Sequence, residues 1–239
     1  MIETVTFDYW NTLCREASPG AMRDWRVGVW SGLLEDAGFA TERAVLDRAF
    51  EDAWDTFVQR WTAGEHFSYT EAAAGIVEAL GHDLPPDVHE SLVEAFGRAG
   101  AEARIDLTPN VATTIRALKE RGIKVGIVCD VGMTPSTALR KHLARHGLLD
   151  AFDHWSFSDE VGCYKPDPTI FEHALAGLGA RAETTAHVGD LRRTDVAGAL
   201  GMGMTAIRYT GVYDDDSQPE PEGHHVIADH ADLPAIVAG

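Results

Sequence analysis

Four short segments of this chain hold residues whose types and spacing can do chemistry together. Asp8 ends the apolar run Val5-Thr6-Phe7 and is followed by Tyr9-Trp10-Asn11-Thr12-Leu13. A carboxylate at the carboxyl end of a buried strand stands where open α/β sheets bind their ligands. Three later segments suit the same edge: Val125 to Asp130, Lys165-Pro166-Asp167-Pro168, and Gly189-Asp190 followed by Asp195. Their side chains are those of a carboxylate nucleophile, a lysine that offsets anionic charge, and oxygen ligands for a hard divalent cation such as Mg2+. Each residue also has a plainer reading. Asp8 can cap a turn, Asp195 can cap a helix N-terminus, and Lys165 can be a solvated surface lysine. It is their recurrence at strand ends, in order, that argues for chemistry.

Positioning such residues requires a sheet, and the chain supplies one in two pieces. Residues 2–10 read as a buried strand. From 14 to about 105 the pattern is helical. Met22, Trp25, Val29, Leu33 and Leu34 recur at helical spacing between Ala21 and Ala37. Thr41 is the expected N-cap of a second helix through Trp61, Ser68 or Thr70 that of a third ending at Leu80, and Pro85-Pro86 opens a fourth. Beyond Ile105, strands are expected at Ile123–Val128, His154–Phe157, Ala186–Val188 and Thr205–Tyr209. Helices are expected from Pro109, Pro135, Pro168 and Thr194. Strands alternating with helices predict an α/β, doubly wound, parallel Rossmann-like sheet. The helical block reads as an insertion after the first strand. The expected division is therefore a core of residues 1–13 and 106–239 and an all-helical cap of residues 14–105. Asp214 to Gly223 reads as an exposed acidic loop, Val226-Ile227 as a short edge strand, and Leu233–Val237 as a last helix.

Composition narrows the function. The chain has 239 residues, a hydrophobic fraction of 45% and a formal net charge of −18. An acidic surface opposes binding to nucleic acid, which depends on Lys and Arg at phosphates, and equally to anionic lipid. The expected partner is a small, anionic molecule met by local positive charge, with the protein a monomer or homodimer. The three cysteines, Cys14, Cys129 and Cys163, form no CxxC pair, so a reducing cytoplasm is the expected compartment. The amino terminus lacks a basic region followed by a long apolar stretch, and no signal peptide or membrane span is expected.

The four segments, in this order, resemble the haloacid dehalogenase superfamily of phosphatases and related hydrolases, along the whole chain. The resemblance implies that Asp8 attacks phosphorus and that Asn11-Thr12-Leu13 forms the turn behind it, with Thr12, like Lys165 and Cys129, among the catalytic residues and Asn11 among those that bind substrate. It implies that Lys165 offsets the charge of nucleophile and phosphate. It also implies that Asp8, Asp190 and the Trp10 carbonyl ligate Mg2+, with Asp195 either a direct ligand or one step behind. The family carries Ser or Thr at the end of its second strand; here that position is Cys129, followed by Asp130. A thiol is a weak donor. Cys129 is therefore a poorer contact, a contact compensated by the Val131 and Gly132 N–H groups, or a small buried space-filler.

Trp10 is the larger departure. Family phosphatases carry a second aspartate at this position, which protonates the leaving group. An indole cannot, and general acid–base help is worth about 10²- to 10⁴-fold. Easily lost leaving groups, an acid from elsewhere (Glu16, Glu65 and His66 are candidates), or a reaction needing no acid would each answer this. Halide release is such a reaction, and 2-haloacid dehalogenation is the alternative to phosphoryl transfer; the retained Gly189-Asp190 favours the latter. A branch using a cap lysine is disfavoured, since residues 14–105 contain none. A non-catalytic binding protein is the third reading. Arg15, Arg23, Arg26, Arg192 and Arg193 are further candidates to meet an anion, and Trp10 and Asp130 to touch substrate.

Overall fold

The computed structural model describes residues 1–239. In chain order the elements are β1 (Thr4–Phe7), β2 (Cys14–Glu16), α1 (Ala21–Asp36), α2 (Arg43–Thr62), α3 (Tyr69–Leu80), α4 (Pro86–Glu102), β3 (Ile105–Leu107) and α5 (Val111–Glu120). They continue with β4 (Lys124–Cys129), α6 (Ser136–Arg145), β5 (His154–Phe157), α7 (Ser158–Val161), α8 (Pro168–Leu178) and β6 (Thr185–Gly189). The chain closes with α9 (Ala197–Gly201), β7 (Thr205–Tyr209), β8 (His225–Ile227) and α10 (Leu233–Ala238).

Six strands form one sheet in the order β5-β4-β1-β6-β7-β8, and every neighbouring pair is parallel. The expected α/β parallel sheet is thus present. Parallel strands covered on both faces read as continuous apolar runs: all four residues of β1 and all five of β6 are buried. The chain builds outward from β1 through β4 to β5, then crosses back to β6 on the other side. That reversal makes the carboxyl ends of β1, β4 and β6 a topological switch point, where such sheets bind ligands.

The chain divides into two compact units. One comprises Met1–Arg15, Asp106–Asp130 and Leu143–Gly239; the other comprises Glu16–Ile105 and Val131–His142. The second unit contains α1 to α4, and it takes in a stretch, residues 131–142, that the sequence assigned to the core. The physical tie is Arg26 of α1. Its buried guanidinium donates to the Phe96 carbonyl at 3.1 Å, the Met133 carbonyl at 2.7 Å and Thr134 Oγ1 at 3.1 Å. It lies 4.1 Å over the Phe96 ring. Gly100 of α4 supports the same contact, since a Cβ there would meet Thr134 Cγ2 at 2.2 Å.

Several local expectations are revised. Thr41 does not cap α2; Glu42 occupies that position and the Thr41 hydroxyl donates to the Phe39 carbonyl at 2.9 Å. Ser68 does cap α3, in a reciprocal box with Glu71. α4 opens at Pro86, as the Pro85-Pro86 pair predicts, and ends at Glu102. The two three-residue strands β2 and β3, which pair with each other, are too short to show alternation and fall where the sequence reads as the ends of the helical block. No helix is long and apolar enough to cross a membrane.

Candidate active site

The site grows from three strand ends. Asp8 follows β1 and is buried, 5% exposed. Its backbone N–H continues the ladder to the Val188 carbonyl at 2.8 Å, which fixes the backbone at the point where the side chain leaves the sheet. The chain then turns sharply. Asn11 takes a φ of 56°, a left-handed conformation that asparagine tolerates, and its Nδ2 donates to Asp190 Oδ2 at 3.3 Å. The Thr12 carbonyl is held from two directions, by the Thr108 hydroxyl at 2.7 Å and by His230 Nε2 at 2.9 Å. The Thr12 hydroxyl itself is buried with no hydrogen-bond partner.

Lys165 carries the only cation in direct contact with Asp8. Its Nζ donates to Asp8 Oδ1 and Asp195 Oδ1, both at 2.6 Å, and to the Val128 carbonyl at 3.1 Å. All three donor positions are thus engaged. The Lys165 backbone N–H donates to Asp130 Oδ1 at 2.9 Å. Asp130, expected to touch substrate, is here a brace for the lysine loop.

Asp190 and Asp195 leave the end of β6 five residues apart and meet opposite surroundings. After Asp190 the chain makes a wide turn in which the Leu191 carbonyl accepts from both Asp195 N at 3.0 Å and Val196 N at 3.2 Å. The helix expected from Thr194 thus begins as this wide turn at Arg192 and continues as α9; such widened turns recur at functional sites. It folds Asp195 back over Gly189, where an added Cβ would stand 2.2 Å from Asp195 Cγ. Only glycine leaves that space. Asp195 Oδ1 receives Lys165 and His187 Nε2, the latter at 3.0 Å, and Oδ2 receives Leu191 N at 3.0 Å. Its oxygens are engaged by protein donors.

The charges show what the site can hold. Asp8, Asp190 and Asp195 each place an oxygen within 4.8 Å of the other two, and all three are buried. One ammonium against three carboxylates leaves two negative charges in a low-dielectric setting. Burial pushes the Asp8 carboxyl up to about 7, against the pull of Lys165 and with the push of Asp195. Burial also raises Asp190 well above the usual range, and the neighbouring Asp8 adds to it. Burial would raise Asp195 as well, but Lys165 and His187 hold it well below the usual range. Burial lowers His187, so the imidazole is neutral and adds no charge. Two strained carboxyls facing each other, on oxygen-only side chains, fit a hard divalent cation.

The remaining candidates fall out differently. Cys129 ends β4 fully buried, and burial, followed by the charge of Asp8, raises its thiol well above the ordinary value. It is a neutral thiol and no nucleophile. All three cysteines are free. The half-buried Trp10 packs edge-on against Tyr9, with ring centroids 5.1 Å apart. Arg23 is paired with Asp47 and Glu51, Arg26 donates within the helical unit as above, and Arg192 pairs with Glu222. Glu16 caps Gly20 N at 2.7 Å, and Glu65 pairs with Arg60 at 3.5 Å. His187, Thr6, Thr108 and His230 belong to the site's framework and carry no sequence motif that would have found them.

Comparison with known proteins points to a family. A haloacid dehalogenase-like hydrolase family model matches residues 2–203. A glyceraldehyde 3-phosphate phosphatase of Methanopyrus kandleri is 36% identical over 143 residues, 59% of each chain. An (S)-2-haloacid dehalogenase of a Pseudomonas species is 24% identical over 220 residues, 91% of this chain and 92% of that one. The chain spans about half the length of the curated phosphatases it first matches. Among solved structures, a HAD phosphatase from Thermococcus onnurineus superposes with a TM-score of 0.69 at 25% identity, covering 100% of this chain and 99% of that one. A sheet whose strand ends gather Asp8, Lys165, Asp190 and Asp195, and a family match across most of the chain, lead to one conclusion: the protein belongs to the haloacid dehalogenase-like hydrolases.

Proposed function

We propose that the protein is a magnesium-dependent phosphatase of a small anionic metabolite, acting through an aspartyl-phosphate on Asp8. The observation that carries this reading is the excess of three buried, clustered carboxyl groups over one ammonium, in which burial holds Asp8 and Asp190 above the usual carboxylate range. A reaction of a 2-haloacid at Asp8 has no use for that excess charge. Asp8, Asp190 and the Trp10 carbonyl would hold the cation, and Asp195 would stand behind them, its oxygens engaged by Lys165, His187 and Leu191 N. Bound there, Mg2+ supplies charge neutralisation and Lewis-acid polarisation of a phosphoryl oxygen.

The chain's own residues supply the rest. An Asp8 oxygen attacks phosphorus, the P–O bond to the leaving group breaks, and that oxygen departs with the electron pair. Water then attacks the aspartyl-phosphate and releases inorganic phosphate, regenerating the Asp8 carboxylate. Lys165 stabilises the charge shared by Asp8 and the phosphoryl group. Thr12, in the turn behind Asp8, has a buried hydroxyl with no hydrogen-bond partner, and its role here is that of a donor toward the phosphoryl group. Cys129 adds little as a donor. Because Trp10 cannot protonate a leaving group, the substrate is one that departs readily, an acyl or phenolic phosphate.

The dehalogenase reading keeps two supports: Trp10 at the position of the acid, and the near full-length match to a haloacid dehalogenase. A single panel separates the two. Phosphate release is measured from acyl, aryl and alkyl phosphates with Mg2+ and with a chelator, beside halide release from 2-haloacids. Asp8→Asn serves as the blank. Magnesium-dependent phosphate release that vanishes in Asp8→Asn is expected; halide release alone overturns the phosphatase reading. Trp10→Asp is expected to speed alkyl phosphates by ~10-fold or more if a missing acid is the limit. A folded, metal-binding Trp10→Asp protein that is no faster removes that explanation.

A further inference from the structure

His187 does not enter the reaction above, yet it sits in the middle of the sheet beside the reacting groups. It is 1% exposed, on β6, and in register with Thr6 on β1. The interior of a parallel sheet is normally apolar, and a buried polar pair is costly unless each group is satisfied. Here both are. Thr6 Oγ1 lies 2.9 Å from His187 Nδ1, and His187 Nε2 lies 3.0 Å from Asp195 Oδ1. The Phe171 ring closes one side, edge-on at 5.3 Å.

The chemistry of these partners fixes the proton. An ionised Asp195 only accepts, so Nε2 carries the hydrogen; a neutral imidazole then offers Nδ1 as an acceptor, and the Thr6 hydroxyl donates to it. The alternative acceptor for that hydroxyl, the Ala186 carbonyl, is farther away at 3.4 Å. Donation therefore runs from Thr6 to His187 to Asp195, where Lys165, which also donates to Asp8, meets it from the other side.

We propose that His187, oriented by Thr6, is a positioning residue that holds Asp195 on Lys165 and away from the cation. The proposal rests on the magnesium reading above. Without the Nε2 donor, Asp195 Oδ1 keeps Lys165 alone. The carboxylate, whose ligand oxygen is within 4.8 Å of those of Asp8 and Asp190, is then held by Lys165 and Leu191 N and turns an oxygen to the cation as a third carboxylate ligand. Mg2+ keeps several waters and takes few carboxylates, whereas Ca2+ accepts more oxygens in looser geometry. His187 thus sets cation preference and leaves coordination positions for substrate.

The test uses the full chain and three variants, His187→Leu, His187→Gln and Thr6→Val. Three readouts are taken: nitrogen-15 NMR of the histidine tautomer, calorimetric binding of Mg2+ and Ca2+ without substrate, and kcat against KM. The wild-type ring is expected as the Nε2–H tautomer. In His187→Leu the ratio of Ca2+ to Mg2+ affinity is expected to rise roughly tenfold and kcat to fall ~10- to 100-fold with little change in KM, the scale typical of groups that orient metal ligands. His187→Gln, which restores an amide donor near Nε2, recovers most of both; Thr6→Val shifts both in the direction of His187→Leu, by less. An Nδ1–H ring in the wild type overturns the proposal, as does a folded His187→Leu with unchanged cation ratio and kcat. If His187→Leu does not fold, an unchanged Thr6→Val cation ratio does the same. A wild type that binds neither cation fails the magnesium reading instead, and the tautomer still decides whether the Thr6–His187–Asp195 chain is as described.

Discussion

The sheet unit contains two ionic centres built from similar side chains and put to different ends. Around Lys165, one ammonium serves Asp8 and Asp195, all almost fully buried. Around Arg208 and Arg192, two guanidiniums serve Asp214 and Glu222 of the acidic 212–224 stretch, whose carboxylates are 74% and 44% exposed. Asp215 adds a brace, accepting from Arg192 N at 2.6 Å. The second centre has cations enough for its acids and water for the remainder. The first has neither. A buried pair broken on one side leaves a charge with nowhere to go, while an exposed pair exchanges one partner for solvent. The same residue types therefore make a reactive centre in one place and a loop fastening in the other, and burial is what separates them.

That contrast can be broken most severely at Lys165. Lys165→Met strands Asp8 and Asp195, and the expected loss is about 3–5 kcal/mol of stability, together with all turnover; denaturant unfolding and the phosphate assay check both. A stable, active variant would mean the buried centre behaves like the surface one. Next in size is the response to pH without metal. Asp8 and Asp190 have folded values raised above the unfolded ones, so their contribution is full below the unfolded value and is lost as pH rises through about 7 for Asp8. The metal-free protein should melt higher at pH 5 than at pH 8. Asp195, held low, works the other way, and its contribution is lost only as pH falls below the usual carboxylate range. Adding Mg2+ at pH 8 should restore the lost stability. A metal-free melting curve that climbs steadily from pH 5 to pH 8 contradicts the excess charge. The smallest effect belongs to the exposed centre: Glu222→Gln should change stability by less than about 1 kcal/mol and lose even that in high salt. A larger loss would show that the acidic loop holds the Asp190 turn in place.

Much of this site was legible because its residues sit next to patterns that sequence displays. An apolar run followed by Asp8, and Gly189-Asp190 after a short strand, announce themselves through period and composition, and Lys165 stands out in a lysine-poor chain. What stayed hidden was the support. Thr108 and His230 meet the Thr12 carbonyl from 96 and 218 residues away, and no local signal links such positions. His187 reads as one more residue of an apolar strand until Thr6 and Asp195 are seen on either side. Asp195 read as an open choice between ligand and cap; which donors occupied its oxygens depended on the wide turn at 192–196, which has the composition of an ordinary helix start. The domain boundary at 131–142 was hidden for a similar reason. One arginine, Arg26, recruits the Met133 carbonyl and the Thr134 hydroxyl, more than a hundred residues downstream.

The His230 ring gives the carboxyl terminus a significance that its sequence does not advertise. The family match ends at residue 203, and the last fifteen residues hold none of the acidic or basic groups that face the reaction. Yet His230 stacks on Tyr209 with centroids 4.3 Å apart and reaches back to the turn behind Asp8. A shortened gene product ending at His224 would carry every reacting side chain and still lose a strut under its nucleophile.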